Sequence, residues 1–400
     1  MGSSDTPLRY LHWSSTVQRT LQRGVLITAS LALGMLLVSI VQGASGGTIL
    51  LAAVLLVVGN YLARTKISGH VQSAILFGLL SSVCALLIYY QLDLNLSEPL
   101  ELGSTTESFS LTSATKASFW LVVISAWLTA WLFVDHLASI NTVSRFKNSF
   151  LSVLTPLIFG VWLLLLWEFI TRGAGIPQVL LPAPSAIGHR FVNSIPILMA
   201  DFKQTFLKAV LIGYAIGCTA GFLVAIVIDR SPFLQRGLLP IGNLASALPI
   251  VGVAPIMVMW FGFDWPSKAA VVVVMTFFPM LVNTVSGLCA AGNMQHDLMR
   301  TYAASYWQTL IKMRLPEALP FIFNALKINS TLALIGAIVA EFFGTPIVGM
   351  GFRISTEVGR MNVDMVWAEI ALAAMAGSVF YALLSLIERV LTFWHPSMRT

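Results

Sequence analysis

Apolar stretches of about 20 residues recur along nearly the whole 400-residue chain, and a helix of about that length crosses a hydrocarbon core of roughly 30 Å. Charged residues make up only 10% of the chain, whereas a soluble globular domain carries about 25%. Because a backbone in lipid must satisfy its own hydrogen bonds, these stretches are expected to be helices. The sequence therefore predicts an all-α polytopic membrane protein.

The hydropathy pattern predicts about ten transmembrane helices. A basic connector with Arg145 and Lys147 follows the fourth span. We take it as the boundary between a four-helix N-terminal extension, 1–150, and a six-helix core, 151–400. Four prolines between 173 and 203 exclude one regular helix there. The expected spans are 24–41, 48–63, 71–92, 117–138, 151–170, 205–228, 238–261, 269–288, 321–343 and 365–393.

The distribution of basic residues predicts the orientation in the membrane. With a cytoplasmic N-terminus and ten spans, most Lys and Arg residues lie on the cytoplasmic side, and the C-terminus is cytoplasmic too. The acidic loop 93–107 then lies outside, and the long connection 289–320 lies inside. A cytoplasmic connection of that length and mixed polarity predicts a protein partner.

The sequence lacks the residue patterns that several function classes need. The net charge of +6 is dispersed and forms no basic stripe, which argues against nucleic acid. Cys84, Cys218 and Cys289 have no metal-ligand or redox spacing, and no histidines pair closely. We therefore expect no metal site and no catalytic residues. No nucleotide-binding loop occurs in the sequence, so any ATP must be hydrolysed by another subunit.

The connection 289–320 contains the most specific motif. Its segments are Asp297-Leu298-Met299, Ala303-Ala304-Ser305 and Met313-Arg314-Leu315-Pro316. They resemble the EAA loop of binding-protein-dependent ABC importers, whose pattern is Glu-Ala-Ala, three residues, Gly, nine residues, Ile, one residue, Leu-Pro. Asp297 stands at the Glu position, Ala303 at the Gly position and Met313 at the Ile position. The spacing is kept, although several residue types differ.

The resemblance implies a short amphipathic coupling helix on the cytoplasmic face, docked on an ATPase subunit and separated from the next span by a proline. Tyr302, Tyr306, Trp307 and Leu310 fall at helical spacing and predict an apolar ridge. Ala303 in place of Gly is expected to favour this helix by roughly 1 kcal/mol. The alternative is an interfacial helix with its aromatic side chains at headgroup level. The candidate coupling residues are Asp297, Ala303, Ala304, Ser305, Tyr306, Trp307, Leu310, Leu315 and Pro316.

A second resemblance covers about 151–400 and is similar to the nitrate, sulfonate and taurine branch of these permeases. It rests on the segments Leu181-Pro182-Ala183-Pro184-Ser185, Ala340-Glu341-Phe342 and Gly349-Met350-Gly351. The branch implies a type I permease core in a bacterial inner membrane, working as a homodimer with a cytoplasmic ATPase dimer that binds ATP and Mg. It also implies an extracytoplasmic solute-binding protein. The expected solute is a small anion such as a sulfonate or nitrate, or a small heterocyclic vitamin precursor.

Polar residues in the last spans suggest a translocation path or gate. The candidates are Asn324, Asn329, Thr331 and Glu341, and the alternatives are polar contacts between helices or a structural ion pair. Lys327 is expected to extend to the membrane surface. Small residues at every fourth position predict a helix-packing face, formed by Gly213, Gly217 and Gly221.

A different function class remains possible from the residues alone. An ion-gradient-driven secondary transporter would show internal repeats and mid-membrane acids, and a membrane enzyme would show titratable residues at one depth. Neither pattern is clear in the sequence. The sequence therefore favours the permease subunit of an ATP-driven importer.

Overall fold

The computed structural model describes residues 20–21, 24–33, 47–66, 70–97, 113–139, 145–231, 233–234, 236–237, 249–344 and 347–394. Regular structure in these ranges is helical, without a strand. The helices are α1 (Gly24–Leu33), α2 (Gly47–Lys66), α3 (His70–Ser97), α4 (Ser113–Ala138), α5 (Arg145–Gly173), α6 (Pro184–Asn193), α7 (Ile195–Arg230), α8 (Ile250–Phe261), α9 (Trp265–Leu288), α10 (Asn293–Thr301), α11 (Tyr306–Glu341), α12 (Met350–Gly359) and α13 (Val363–Leu391).

Seven of the described helices are long and apolar enough to cross a membrane. They lie in α3, α4, α5, α7, α9, α11 and α13, and three shorter apolar helices lie in α1, α2 and α8. Each predicted span overlaps one of these ten helices, although the bounds differ by up to 15 residues for the span predicted at 321–343. Residues 34–41 and 238–248 of the predicted spans, and 98–107 of the acidic loop, lie outside the described residues. The all-α polytopic class is therefore confirmed, and the count of ten spans is approximate.

The chain divides into two compact units, Met1–Ser185 and Ala186–Thr400. In the first unit, α2, α3, α4 and α5 share a core of small and branched residues that includes Ala52, Cys84 and Val122. Polar atoms pair inside it: the hydroxyls of Thr28 and Ser125 are 2.6 Å apart. These units are defined by compactness alone, so they do not test the predicted boundary at residue 150 between the N-terminal extension and the permease core. That boundary stays a prediction.

In the second unit, α9 packs against both α7 and α11. Gly213, Gly217 and Gly221 lie on the face of α7 that meets α9. A Cβ added at Gly213 would come within 2.6 Å of the Ala269 carbonyl oxygen, and one at Gly221 within 2.5 Å of the Phe277 carbonyl oxygen. Because no side chain separates the two backbones, α7 and α9 lie closer together than larger residues would permit.

The two longest helices each contain a segment with π-helical hydrogen bonds, Lys203–Val210 in α7 and Leu310–Arg314 in α11. Pro316 lies where α11 returns to α-helical bonding, so its missing N–H interrupts the hydrogen bonding less than it would in the middle of an α-helix. The prediction that this proline separates the coupling helix from the next span is therefore wrong. The helix runs without a break from Tyr306 to Glu341.

Candidate functional site

The predicted coupling segment begins with α10, a helix with no buried residue. Gln295 caps it by accepting the Gly292 N–H at 2.9 Å. Met294, Leu298 and Tyr302 are 85%, 55% and 76% exposed, and their spacing of four residues places them on one side of the helix. We call these three residues the coupling face. Asp297 is also exposed and lies 3.8 Å from Arg300.

A tight turn, not a proline, separates α10 from α11. Ala303 has a φ of 51°, and the Ala304 N–H donates back to the Met299 carbonyl at 3.0 Å. Ser305 then caps α11: the Gln308 side chain accepts the Ser305 N–H at 2.8 Å, and the Ser305 hydroxyl accepts the Gln308 N–H at 3.4 Å. The segment is therefore two helices joined by a reverse turn.

Because of this turn, the prediction of one continuous apolar ridge is wrong. Tyr302 ends α10, whereas Tyr306, Trp307 and Leu310 belong to α11, so the four side chains do not lie on one helix. Leu310 is only 2% exposed and packs in the core of the second unit. Trp307 is 52% exposed and is the one predicted aromatic residue of α11 that is open to a partner. The coupling role itself stays a prediction.

We predict that Ala303→Gly stabilises the folded protein by about 1 kcal/mol, because a left-handed backbone costs a residue with a Cβ roughly 1–2 kcal/mol. The expected helical benefit of alanine at this position is wrong, since position 303 is not helical. Thermal unfolding of the purified protein measures the change. Ala304→Gly is the control and is expected to be neutral or destabilising. A stability loss with glycine at 303 would contradict the assignment.

A largely buried ion pair holds the base of this segment to the core. Both terminal nitrogens of Arg314 donate to Asp229, at 2.8 and 2.6 Å. Its Nε donates to the Leu288 carbonyl at 2.9 Å, and the Tyr306 hydroxyl donates to Asp229 at 3.0 Å. We call Asp229, Leu288, Tyr306 and Arg314 the clamp. It joins the ends of α7 and α9 to the first turns of α11.

The other end of α11 holds a second polar cluster, which we call the far-end cluster, around the first turn of α12. The Gly349 N–H donates to Asp201 at 2.6 Å, the Met350 N–H to Thr205 at 2.8 Å, and the Gly351 N–H to Glu341 at 2.7 Å. Thr205 in turn donates to Glu341 at 2.7 Å. Residues from α7 and α11 thus cap α12, and its N-terminal dipole favours their negative charge.

Two cations complete the far-end cluster. Arg353 donates to Asp201 at 2.9 Å. Burial alone would lower the pKa of Arg353, but the hydrogen bond and the charge of Asp201 outweigh it and raise that pKa above its ordinary value. The Lys268 ammonium donates to the Phe263 carbonyl at 2.6 Å and to the Gly344 carbonyl. It therefore joins the start of α9 to the chain beyond α11.

The structure places Glu341 in this cluster, where its hydrogen-bond partners are the Thr205 hydroxyl and the Gly351 N–H. These contacts fit a capping role for Glu341 rather than an ion pair. Sequence reasoning missed Asp201, Thr205 and Lys268. The available signal was the presence of ionisable residues within or beside apolar spans, since such residues rarely lie there without a partner. The sequence did not show which of them meet, because the cluster joins positions up to 168 residues apart along the chain, from Asp201 to Glu369.

The remaining candidate path residues are separated by the packing. Asn329 is fully buried and donates to the Thr276 carbonyl at 2.8 Å and to the Cys218 sulfur at 3.3 Å, as a polar contact between helices does. Asn324 and Thr331 are exposed on α11. Lys327 pairs with Glu388 of α13 at 2.7 Å, and its expected extension to the membrane surface stays a prediction.

Comparison with known proteins identifies the class. Residues 213–400 match the family model described as binding-protein-dependent transport system inner membrane component. A formylaminopyrimidine transport permease protein of Halalkalibacterium halodurans is 30% identical, over 62% of this chain and 98% of its own length. The chain belongs to this family. It is the permease subunit of an ABC importer, a transport protein and not an enzyme, and permeases of this family work with ATPase and solute-binding partners.

Other relatives are named for different solutes. A riboflavin transport system permease protein of Chloroflexus aurantiacus is 28% identical, over 64% of this chain and 95% of its own length. A bicarbonate transport system permease protein of Synechocystis is 27% identical, over 55% of this chain and 82% of its own length. The shared class is therefore permease, whereas the solute differs among the relatives.

Proposed function

We propose that the coupling face of α10 docks on a cytoplasmic ATPase subunit. One observation carries the proposal: α10 buries none of its residues, yet it presents Met294, Leu298 and Tyr302 on one side. An apolar helix face of this kind suits a groove on another protein. The family supports the choice of an ATPase as that partner.

The clamp supplies the mechanical connection in this proposal. Two copies of the chain form the pathway, and two ATPase subunits that bind ATP and Mg engage their α10 helices. Closure of the ATPases shifts α10, and the ion pair between Asp229 and Arg314 passes this shift to α7 and α11. In this proposal α10 and both termini of the chain lie on the cytoplasmic side of a bacterial inner membrane. The far-end cluster lies on the opposite side, where the solute-binding protein docks.

We further propose that the solute is a small uncharged heterocycle. Two relatives are named for formylaminopyrimidine and riboflavin. The exposed stripe of α11 carries aromatic, aliphatic, amide and hydroxyl groups but no charge, in Phe321, Asn324, Ile328, Thr331 and Ile335. A path for a sulfonate or nitrate is expected to carry cationic side chains, and this stripe carries none. Uptake into proteoliposomes of an aminopyrimidine against a sulfonate, with the cognate binding protein, tests this choice.

Replacing Leu298 and Tyr302 by Asp tests the docking proposal. We expect ATP hydrolysis stimulated by the binding protein to fall about tenfold or more, since loss of two central apolar anchors of an interface costs over 1 kcal/mol. Thermal unfolding should be unchanged, because neither side chain is buried. Copurification with the ATPase measures docking directly.

Ile347→Asp is the matched control. Ile347 is 79% exposed but lies at the far end of the unit, after α11, so this variant should keep its ATPase. If the Leu298 and Tyr302 variant copurifies with the ATPase as well as the control does, the docking proposal fails and the interfacial-helix alternative is favoured.

A further inference from the structure

A buried carboxyl group on α13 has no role in the coupling described above. Glu369 is fully buried, and within the described residues neither of its side-chain oxygens has a hydrogen-bond donor. A carboxylate in such a position would be unsatisfied in a medium of low dielectric constant, which costs several kcal/mol. The arrangement therefore requires either an unseen donor or a proton on Glu369 itself.

The groups around Glu369 favour the proton. Asp201 and Arg353 both lie near Glu369. The two oxygens of Asp201 already accept the Gly349 N–H and the Arg353 guanidinium. A carboxylate oxygen has two lone pairs, so Asp201 can accept another hydrogen bond. A second negative charge beside Asp201 would be repelled, as in other pairs of carboxyl groups that share one site.

The charge count across the cluster agrees with this. Three carboxyl groups, of Asp201, Glu341 and Glu369, face two cations, Arg353 and Lys268. Two further carboxylates each have a cation of their own. Glu357 pairs with Arg360 at 3.1 Å, and the exposed Asp264, near Lys268, also lies near Lys208. With one proton on Glu369, the two negative charges of Asp201 and Glu341 balance the two positive charges of Arg353 and Lys268. The same proton supplies the hydrogen for a bond between the carboxyl groups of Glu369 and Asp201.

We propose that Glu369 is a positioning residue which keeps its proton and donates it in a hydrogen bond to Asp201. In this way it ties α13 to the carboxylate that caps α12 and binds Arg353. The far-end cluster then joins α7, α11, α12 and α13, and the rigid attachment of α12 depends on a neutral hydrogen-bond donor at position 369. A negative charge at that position is not needed.

The variants Glu369→Gln and Glu369→Leu separate a neutral donor from its loss. The glutamine amide is neutral and donates, so we expect stimulated ATP hydrolysis within about twofold of the unchanged protein. Leucine has no donor, and we expect a loss of about fivefold or more, in keeping with about 1 kcal/mol for one buried hydrogen bond. If Glu369→Gln is as impaired as Glu369→Leu, or fails to fold, the proposal is overturned.

Glu388→Gln provides the matched control on the same helix. Glu388 is also buried but pairs with Lys327 at 2.7 Å, so it needs its charge. Glu388→Gln should therefore lower stimulated ATP hydrolysis, whereas Glu369→Gln should not. Equal tolerance at both positions would remove the distinction on which the proposal rests.

Infrared spectroscopy of the permease in lipid nanodiscs tests the proton without any ATPase. The unchanged protein at neutral pH should show a carbonyl stretch of a protonated carboxyl group that Glu369→Gln lacks and Glu388→Gln retains. Absence of that difference overturns the proposal. The hydrolysis assay rests on the proposed docking to an ATPase, whereas the spectrum does not, so failure of the docking proposal would leave this result intact.

Discussion

Asp229→Ala is expected to destabilise the folded permease by about 3 kcal/mol, at the lower end of the range for a buried pair, because removal of Asp229 leaves the largely buried charge of Arg314 uncompensated. Arg314 would lose both of its short hydrogen bonds to the carboxylate and keep only the bond to the Leu288 carbonyl. Thermal unfolding and the yield of monodisperse protein measure the loss. Arg314→Met is expected to act in the same direction, since it leaves Asp229 without its cation.

The double variant Asp229→Leu with Arg314→Met separates stability from coupling. Apolar replacement of a buried ion pair is often neutral or stabilising, so the double variant should recover most of the stability that either single variant loses. Stimulated ATP hydrolysis should remain low, because the directed bonds between α7 and α11 are gone. Recovery of full hydrolysis along with stability would show that the clamp has no part in coupling.

Gly217→Ala is expected to cost about 3 kcal/mol, at the upper end of the range for overpacking a close contact. A Cβ at this position would overlap the Thr276 hydroxyl and come within 2.8 Å of the Val273 carbonyl oxygen. The backbone of α9 cannot move aside without disturbing α11. Helices α7 and α9 must therefore separate, and a lower unfolding temperature is the expected result.

Gly160→Ala is the control for this prediction. A Cβ at Gly160, on α5, would meet nothing within 4 Å, and alanine is favoured over glycine in a helix by roughly 1 kcal/mol. This variant should be neutral or slightly stabilised. If Gly217→Ala behaves in the same way, the close approach of α7 and α9 is wrong.

Much of the fold follows from the sequence, because the length and composition of a membrane span are set by the bilayer and not by distant contacts. The position of the candidate coupling segment also follows, since the spacing from Asp297 to Pro316 is local. Its shape does not. Tyr302 and Leu310 fall at helical spacing, yet the left-handed backbone at Ala303 places them on different helices.

The polar contacts could not be predicted for a different reason. Asp229 and Arg314 are 85 residues apart, and Asp201 and Gly349 are 148 apart. A pattern in one span shows that a charge needs a partner, but it does not show which element supplies it. Asn329 illustrates the same limit: its place on α11 suggested a pathway, and packing against α7 and α9 buries it instead.

The two π-helical segments lie beside the two polar clusters, Lys203–Val210 next to Asp201 and Leu310–Arg314 within the clamp. Each contains one residue more per hydrogen-bonded ring than an α-helix. If such a segment rewinds to α-helical bonding, every residue beyond it turns by about 100° around the axis. By twisting at their π-helical segments, α7 and α11 can therefore change which side chains they present, without unfolding or bending.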